Sequence, residues 1–136
     1  MLSTQTKVQI EDLLDRFTTA WERRDWRTIL DLSADDIMGY GPVGGEIAGD
    51  KKEFEQKFRE GYGKAETLSV RRGDCTLKAE GTIAWVIGDL TLSIDGTILP
   101  CRFTMVLRGT GHRWVVVQYH ISYTSIHQDS LESHAD

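Results

Sequence analysis

His120 and Ser122 stand two positions apart in an alternating run, residues 113–124, so on a strand both side chains leave the backbone on one side. An imidazole changes charge near neutral pH and can act as general acid, general base or donor to an anion, with a hydroxyl beside it as a second polar anchor. The same pattern also fits a histidine bonded to a backbone carbonyl and an ordinary strand serine. Arg102, in the run 97–108, shares a side with Thr104, and an inward arginine persists only when it faces a carboxylate or phosphate. Whether that side coincides with the His120 side depends on the turn at Gly109 and Gly111, because a one-residue change of register inverts it. Trp21, Tyr40 and Trp85 are flat apolar residues that can wall a small-molecule site around such anchors, or simply pack as core.

Other chemistries are poorly served. His112, His120, His127 and His134 lie far from any cysteine and show no metal-ligand spacing, so no metal is expected. The glycines form no phosphate loop after a strand, so no nucleotide cofactor is expected either. Cys75 and Cys101 match no redox or metal motif and read as reduced thiols. Sixteen Lys and Arg against 21 Asp and Glu give a net charge of −5, which opposes the phosphate-neutralising surface that nucleic acid requires. No apolar run approaches the length of a membrane span, and residues 1–10 lack a charged-then-apolar signal pattern, so the expected location is the cytoplasm.

The elements that must position these residues fall into two halves of a single domain, residues 1–124. The 136-residue chain is 40% apolar, enough for one domain with a core of its own. Val8, Ile10, Leu13, Leu14, Phe17, Ala20 and Trp21 recur at helical spacing, which predicts a helix from Thr6, capped by Thr6 with Gln9, to about Arg24. Asp25 is placed to cap a short second helix over 26–33, and Asp50 with Glu53 caps a third that ends at Gly61 and Gly63. Four glycines and Pro42 between Ile37 and Ala48 forbid a helix there and predict a strand hairpin around Tyr40 and Glu46. Then come four period-two runs, 67–80, 82–94, 97–108 and 113–124, separated by short glycine-bearing turns, which predict an antiparallel meander. Residues 125–136 read as a polar, frayed tail. Helices followed by a long curved sheet define an α+β fold with the helices on one sheet face.

In the last run both sides are largely apolar: Trp114, Val116, Gln118, His120 and Ser122 on one, Val115, Val117, Tyr119, Ile121 and Tyr123 on the other. A sheet covered on one face only should be polar on the other, so the second face calls for a second copy packed sheet to sheet, that is, a homodimer.

The order of elements resembles the superfamily that contains nuclear transport factor 2, ketosteroid isomerase and the SnoaL polyketide cyclase. The strings Arg102-Phe103-Thr104-Met105-Val106-Leu107-Arg108 and Trp114-Val115-Val116-Val117-Gln118-Tyr119-His120-Ile121-Ser122 resemble the SnoaL-like 3 branch and the association domain of calcium/calmodulin-dependent kinase. Ala34-Asp35-Asp36 leading to Gly41-Pro42-Val43-Gly44 is similar to ketosteroid isomerases. The resemblance implies a cone-shaped roll of three helices on a curved mixed, mainly antiparallel sheet. It also implies an enclosed pocket, with His120 facing into it, and dimerisation through the outer sheet face. Steroid-isomerase chemistry is not implied: the position of the carboxylate base is Gly41, and Phe17 stands where the oxyanion-binding tyrosine would be. Losing the base alone removes about 10²–10⁴ in rate.

Trp21-Glu22-Arg23-Arg24-Asp25-Trp26 is similar to the helix-one ending of scytalone dehydratase. That resemblance implies a pairing of Glu22 with His120, which would raise the basicity of the imidazole and give a base for elimination or enolisation. The expected function is therefore binding of a small organic molecule, carboxylate-bearing or polyketide-like, in an apolar pocket anchored by Arg102 and His120. Two alternatives stand beside it. One is a cofactor-independent lyase, isomerase, dehydratase or cyclase using His120 with Glu22; the other is an oligomerisation module with a vestigial pocket. Glu22 within hydrogen-bonding reach of His120 would favour the enzyme, and an interior filled by Trp21 and Trp85 would favour the module.

Overall fold

Among the described residues three helices cover one face of a six-stranded sheet, two of them before its first strand and the third between its second and third strands. The computed structural model describes residues 2–43 and 47–124; Glu46, Gly44 and the tail 125–136 with His127 and His134 lie outside the described residues. Helix α1 spans Thr4–Arg23, two residues earlier than the Thr6 cap predicts. The reason is Ser3, whose hydroxyl accepts the Thr6 backbone N–H at 3.1 Å and so caps the helix itself. Helix α1 closes at Arg24, whose left-handed backbone (φ 56°) turns the chain toward α2, Trp26–Asp31. Asp25 caps α2 by accepting from the Thr28 N–H and hydroxyl, and Asp50 caps α3, Lys51–Tyr62, by accepting from the Glu53 N–H at 2.8 Å.

Strand β1, Ser33–Tyr40, begins where the sequence predicts the end of the second helix. Its partner explains the early exit: β1 runs parallel to β6, Trp114–Tyr123, and the Val116 N–H donates to the Leu32 carbonyl at 2.9 Å. A helix cannot hold residues whose backbone groups a neighbouring strand takes. Strand β2, Ile47–Ala48, pairs antiparallel with the end of β1 and forms the expected hairpin. Strands β3 (Leu68–Glu80), β4 (Ile83–Ile94) and β5 (Thr97–Gly109) lead into β6 as an antiparallel meander, and the sheet order is β2-β1-β6-β5-β4-β3. The single parallel pair makes the sheet mixed and mainly antiparallel, as expected.

The core lies between the helices and the inner sheet face. Phe58 is its centre, with ring centroids of Phe54 at 4.6 Å, Trp21 at 5.2 Å and Tyr62 at 5.4 Å, and Phe17 and Tyr119 beyond. All six rings are buried. Where an open pocket is expected, these side chains meet one another.

Candidate functional site

Register decides which side chains reach the core. Leu107 pairs with Val116, but the next pair is Val106 with Gln118, so β6 carries one extra residue, Val117, at a bulge. Before the bulge Val116 points inward; after it the inward positions are Tyr119 and Ile121, both buried, while Gln118, His120 and Ser122 emerge on the outer face. Unbroken alternation would have carried His120 inward together with Val116. The inward expectation for His120 and Ser122 is therefore corrected by one bulge residue. Tyr119 holds the shifted register by packing its ring 5.2 Å from Phe54.

Arg102 turns outward too. It pairs with Ser122 on one side and Asp89 on the other, two residues along from Thr104, which pairs with His120. Arg102 and His120 thus do share a face, but it is the outer one, and Arg102 is exposed. It lines an open hollow of about 490 Å³ together with Asp74, Thr76, Ile87, Asp89 and Thr104. Among the described residues the Arg102 guanidinium makes no hydrogen bond or ion pair.

Glu22 is not brought to His120. Its carboxylate accepts the Val70 N–H at 2.9 Å, tying the end of α1 to β3 at the opposite edge of the sheet from β1 and β2, with β4 and β5 lying between β3 and β6. The pairing implied by the dehydratase resemblance is absent from this arrangement, and Glu22 acts as a clasp. Trp21 is inside, fully buried, with its indole N–H making no hydrogen bond to the described residues. Trp85 and Tyr40 are outside; the Tyr40 ring lies 5.5 Å from the His120 ring. Of the residues predicted to gather around a ligand, then, Tyr40, Trp85, Arg102, His120 and Ser122 come together on the outer sheet face, and Trp21 alone enters the core.

Sequence reasoning missed the apolar side chains that accompany them. Met38, Ile47, Ile83 and Ile87 stand on the same outer face as Tyr40 and Trp85, and the six are between 39% and 58% exposed. The signal was in β4, where Ile83, Trp85 and Ile87 alternate with buried Ala84 and Val86, so both faces of that strand are apolar. Charges flank the patch, with Lys78 beside Trp85 and others at its two ends. At one end Asp89 opposes Arg102; at the other Arg108 donates to Asp36 at 3.1 Å, a hydrogen bond that holds the Asp36 carboxyl below its usual pKa. On the helical side Arg72 binds Asp15 at 2.8 Å. Burial pulls the Arg72 pKa down, but the hydrogen bond and charge of Asp15 outweigh it and leave the net shift upward.

Both cysteines are free, and burial pushes the Cys101 thiol up to about 11. Among the described residues no group of three His, Cys, Asp or Glu side chains gathers to hold a metal, and no helix is long and apolar enough to cross a membrane.

Three helices on the inner face of a curved six-stranded sheet, with this strand order, define the cone-shaped roll of the nuclear transport factor 2-like superfamily. Within it the chain belongs to the SnoaL-like domain family, whose model matches residues 10–126. Among solved structures, an NTF2-like protein of unknown function from Pseudomonas putida is 21% identical with a TM-score of 0.82, covering 94% of each chain. A protein provisionally named scytalone dehydratase, from Novosphingobium aromaticivorans, is 14% identical with a TM-score of 0.76, covering 87% of this chain and 83% of its own. A protein provisionally named a calcium/calmodulin dependent protein kinase II association domain, from Xanthomonas campestris, is 18% identical with a TM-score of 0.77, covering 92% and 91%. No curated protein matches the sequence. At these identities the likeness is one of fold.

Proposed function

We propose that this chain is a self-associating SnoaL-like domain that works as a homodimer joined through its outer sheet face. One observation carries the reading: six large apolar side chains, Met38, Tyr40, Ile47, Ile83, Trp85 and Ile87, stand exposed together on that face, while the inner face is filled by its own aromatic residues. A monomer seldom exposes a contiguous apolar patch of more than a few hundred Å². The association-domain name given to the relative from X. campestris agrees with the reading. Sedimentation velocity tests it. The parent should run at twice the 15.4 kDa of one chain, and Trp85→Glu should run as a folded monomer. A parent that stays monomeric at about 100 µM, a concentration at which even weak specific dimers form, would defeat the proposal.

A second reading has its own support. Trp21 holds a fully buried indole N–H with no hydrogen-bonding partner among the described residues, beside Phe58 and Tyr62. Leaving such a donor unpaired costs about 1–3 kcal/mol. A small carbonyl or carboxylate compound entering between α1 and α3 would supply the acceptor, and the dehydratase name of the N. aromaticivorans relative fits a compound of that kind. Thermal shift against small acids, phenolics and polyketide-like ketones tests this: a ligand should stabilise the parent and lose most of that effect on Trp21→Phe. Equal stabilisation of both would remove Trp21 from the site.

A further inference from the structure

The hollow that Arg102 lines holds charges of both signs, and strand β3 shapes it. Arg72 pairs with Leu90 and Cys75 with Gly88, so Gly73 and Asp74 together stand against the single residue Asp89, a bulge in β3. Asp74 and Asp89 both border the hollow as a result. Position 73 is glycine, and a Cβ there would come within 3.6 Å of the Asp89 Cβ, so the missing side chain leaves the flank of Asp89 open.

On the other side of β4, Asp89 pairs with Arg102. Opposite charges directly across two strands attract, yet none of Asp74, Asp89 and Arg102 enters an ion pair among the described residues. Two carboxylates and a guanidinium thus share one hollow of about 490 Å³ with the hydroxyls of Thr76 and Thr104 and the side chain of Ile87.

We infer that this hollow binds a small zwitterion, a free amino acid or a short peptide, with the carboxylate of the ligand on Arg102 and its ammonium on Asp89 and Asp74. The guanidinium fork matches a carboxylate with parallel N–H donors. Ser122, paired with Arg102 on β6, offers a hydroxyl to the same group. Complementarity excludes simpler ligands. A plain anion on Arg102 would meet two carboxylates, and a plain cation on the carboxylates would meet Arg102; a ligand with both signs is matched at each end. The volume falls within the range of about 300–1,000 Å³ usual for small-molecule sites, and Ile87 offers an apolar wall to the side chain of the ligand. The hollow shares only Ile87 with the six apolar side chains of the outer patch and lies on the opposite sheet face from the core around Trp21, so neither reading above is needed for it.

Amide NMR titration of the whole chain separates the charges. The probes are L-leucine and glycyl-L-leucine, beside N-acetyl-L-leucine, which keeps only the carboxylate, and L-leucinamide, which keeps only the ammonium. At least one zwitterion should bind with a dissociation constant below about 1 mM. The singly charged compounds should bind at least about tenfold more weakly, the loss of one charge-assisted contact. Arg102→Gln should weaken the zwitterion at least about tenfold without weakening L-leucinamide, and Asp74→Asn with Asp89→Asn should weaken it without weakening N-acetyl-L-leucine. Trp21→Phe should change none of these affinities. The inference is overturned by a lack of saturable binding of both zwitterions up to about 10 mM, by equal affinity for zwitterion and capped forms, or by a loss with Trp21→Phe but not with Arg102→Gln. A parent that sediments as a monomer leaves it standing, whereas a dimeric parent that binds neither zwitterion overturns it alone.

Discussion

The two faces of the central sheet are built from the same strands, with neighbouring residues in β4 and β5 sent in opposite directions, and they solve different problems. The inner face is closed: Leu107, Tyr119, Ile121, Val86 and Phe103 are buried against helices that bring Phe17, Trp21, Phe54, Phe58 and Tyr62. The outer face is unfinished, with side chains as large as Trp85 and Tyr40 left partly in water. The difference teaches that apolar content alone does not locate a core. What separates the faces is whether the chain covers them itself, and among the described residues its helices cover one face only.

Truncating an inner ring should therefore cost far more than truncating an outer one. Phe58 lies within ring-contact distance of Phe17, Trp21, Trp26, Phe54, Tyr62 and Tyr119. Phe58→Ala should lose about 3–5 kcal/mol in urea unfolding. Ile87→Ala, measured at concentrations too low for association, should lose under about 0.5 kcal/mol, since the side chain packs on little within one copy. Comparable losses at the two sites would mean that Ile87 is already covered within the protomer, and the contrast between the faces would fall.

A smaller effect probes what fixes the inward residues of β6. Gly39 pairs with Tyr119 across the parallel β1–β6 ladder, and a Cβ at position 39 would run into the Tyr119 carbonyl and ring. Gly39→Ala should cost about 1–3 kcal/mol by overpacking. The helix-contacting ring of Tyr119 should register the strain as a changed near-ultraviolet circular dichroism signal. An unchanged signal and unchanged stability would show that the Tyr119 ring does not depend on the missing side chain of Gly39.

That glycine also marks how far the sequence could be read. The three helices, the four-strand meander and the α+β class were legible because each rests on local signals: caps at Asp25 and Asp50, helical spacing through Trp21, and alternation broken by glycine turns. The sidedness of His120 was not. It depends on one unpaired residue, Val117, in a run of three valines that suits either parity and carries no glycine or proline to announce a bulge. Arg102 shared the same fate, because its side was tied to that of His120 through register. The apolar outer face was legible in outline, from two apolar sides on one strand. Its members on β4 and β1 were not, because they join the patch only through cross-strand pairing.

The smallest expected effect lies at the outer rim. Arg108 crosses toward β1 to donate to Asp36 and lowers its pKa from the ordinary 3.8. A carboxyl whose folded pKa is depressed adds stability that is present above the unfolded value and is lost as pH falls through the folded one. In Asp36→Asn the extra loss of stability below about pH 4 should therefore shrink, while stability at pH 7 stays nearly unchanged, as for most exposed ion pairs. Urea midpoints compared at pH 7 and pH 3 check it. If the variant kept the full acid sensitivity of the parent, the rim pair would be bystander to acid unfolding. The carboxylates that respond would then be sought on the helical side, at Asp25, whose hydrogen bonds from Thr28 lower its pKa in the same sense.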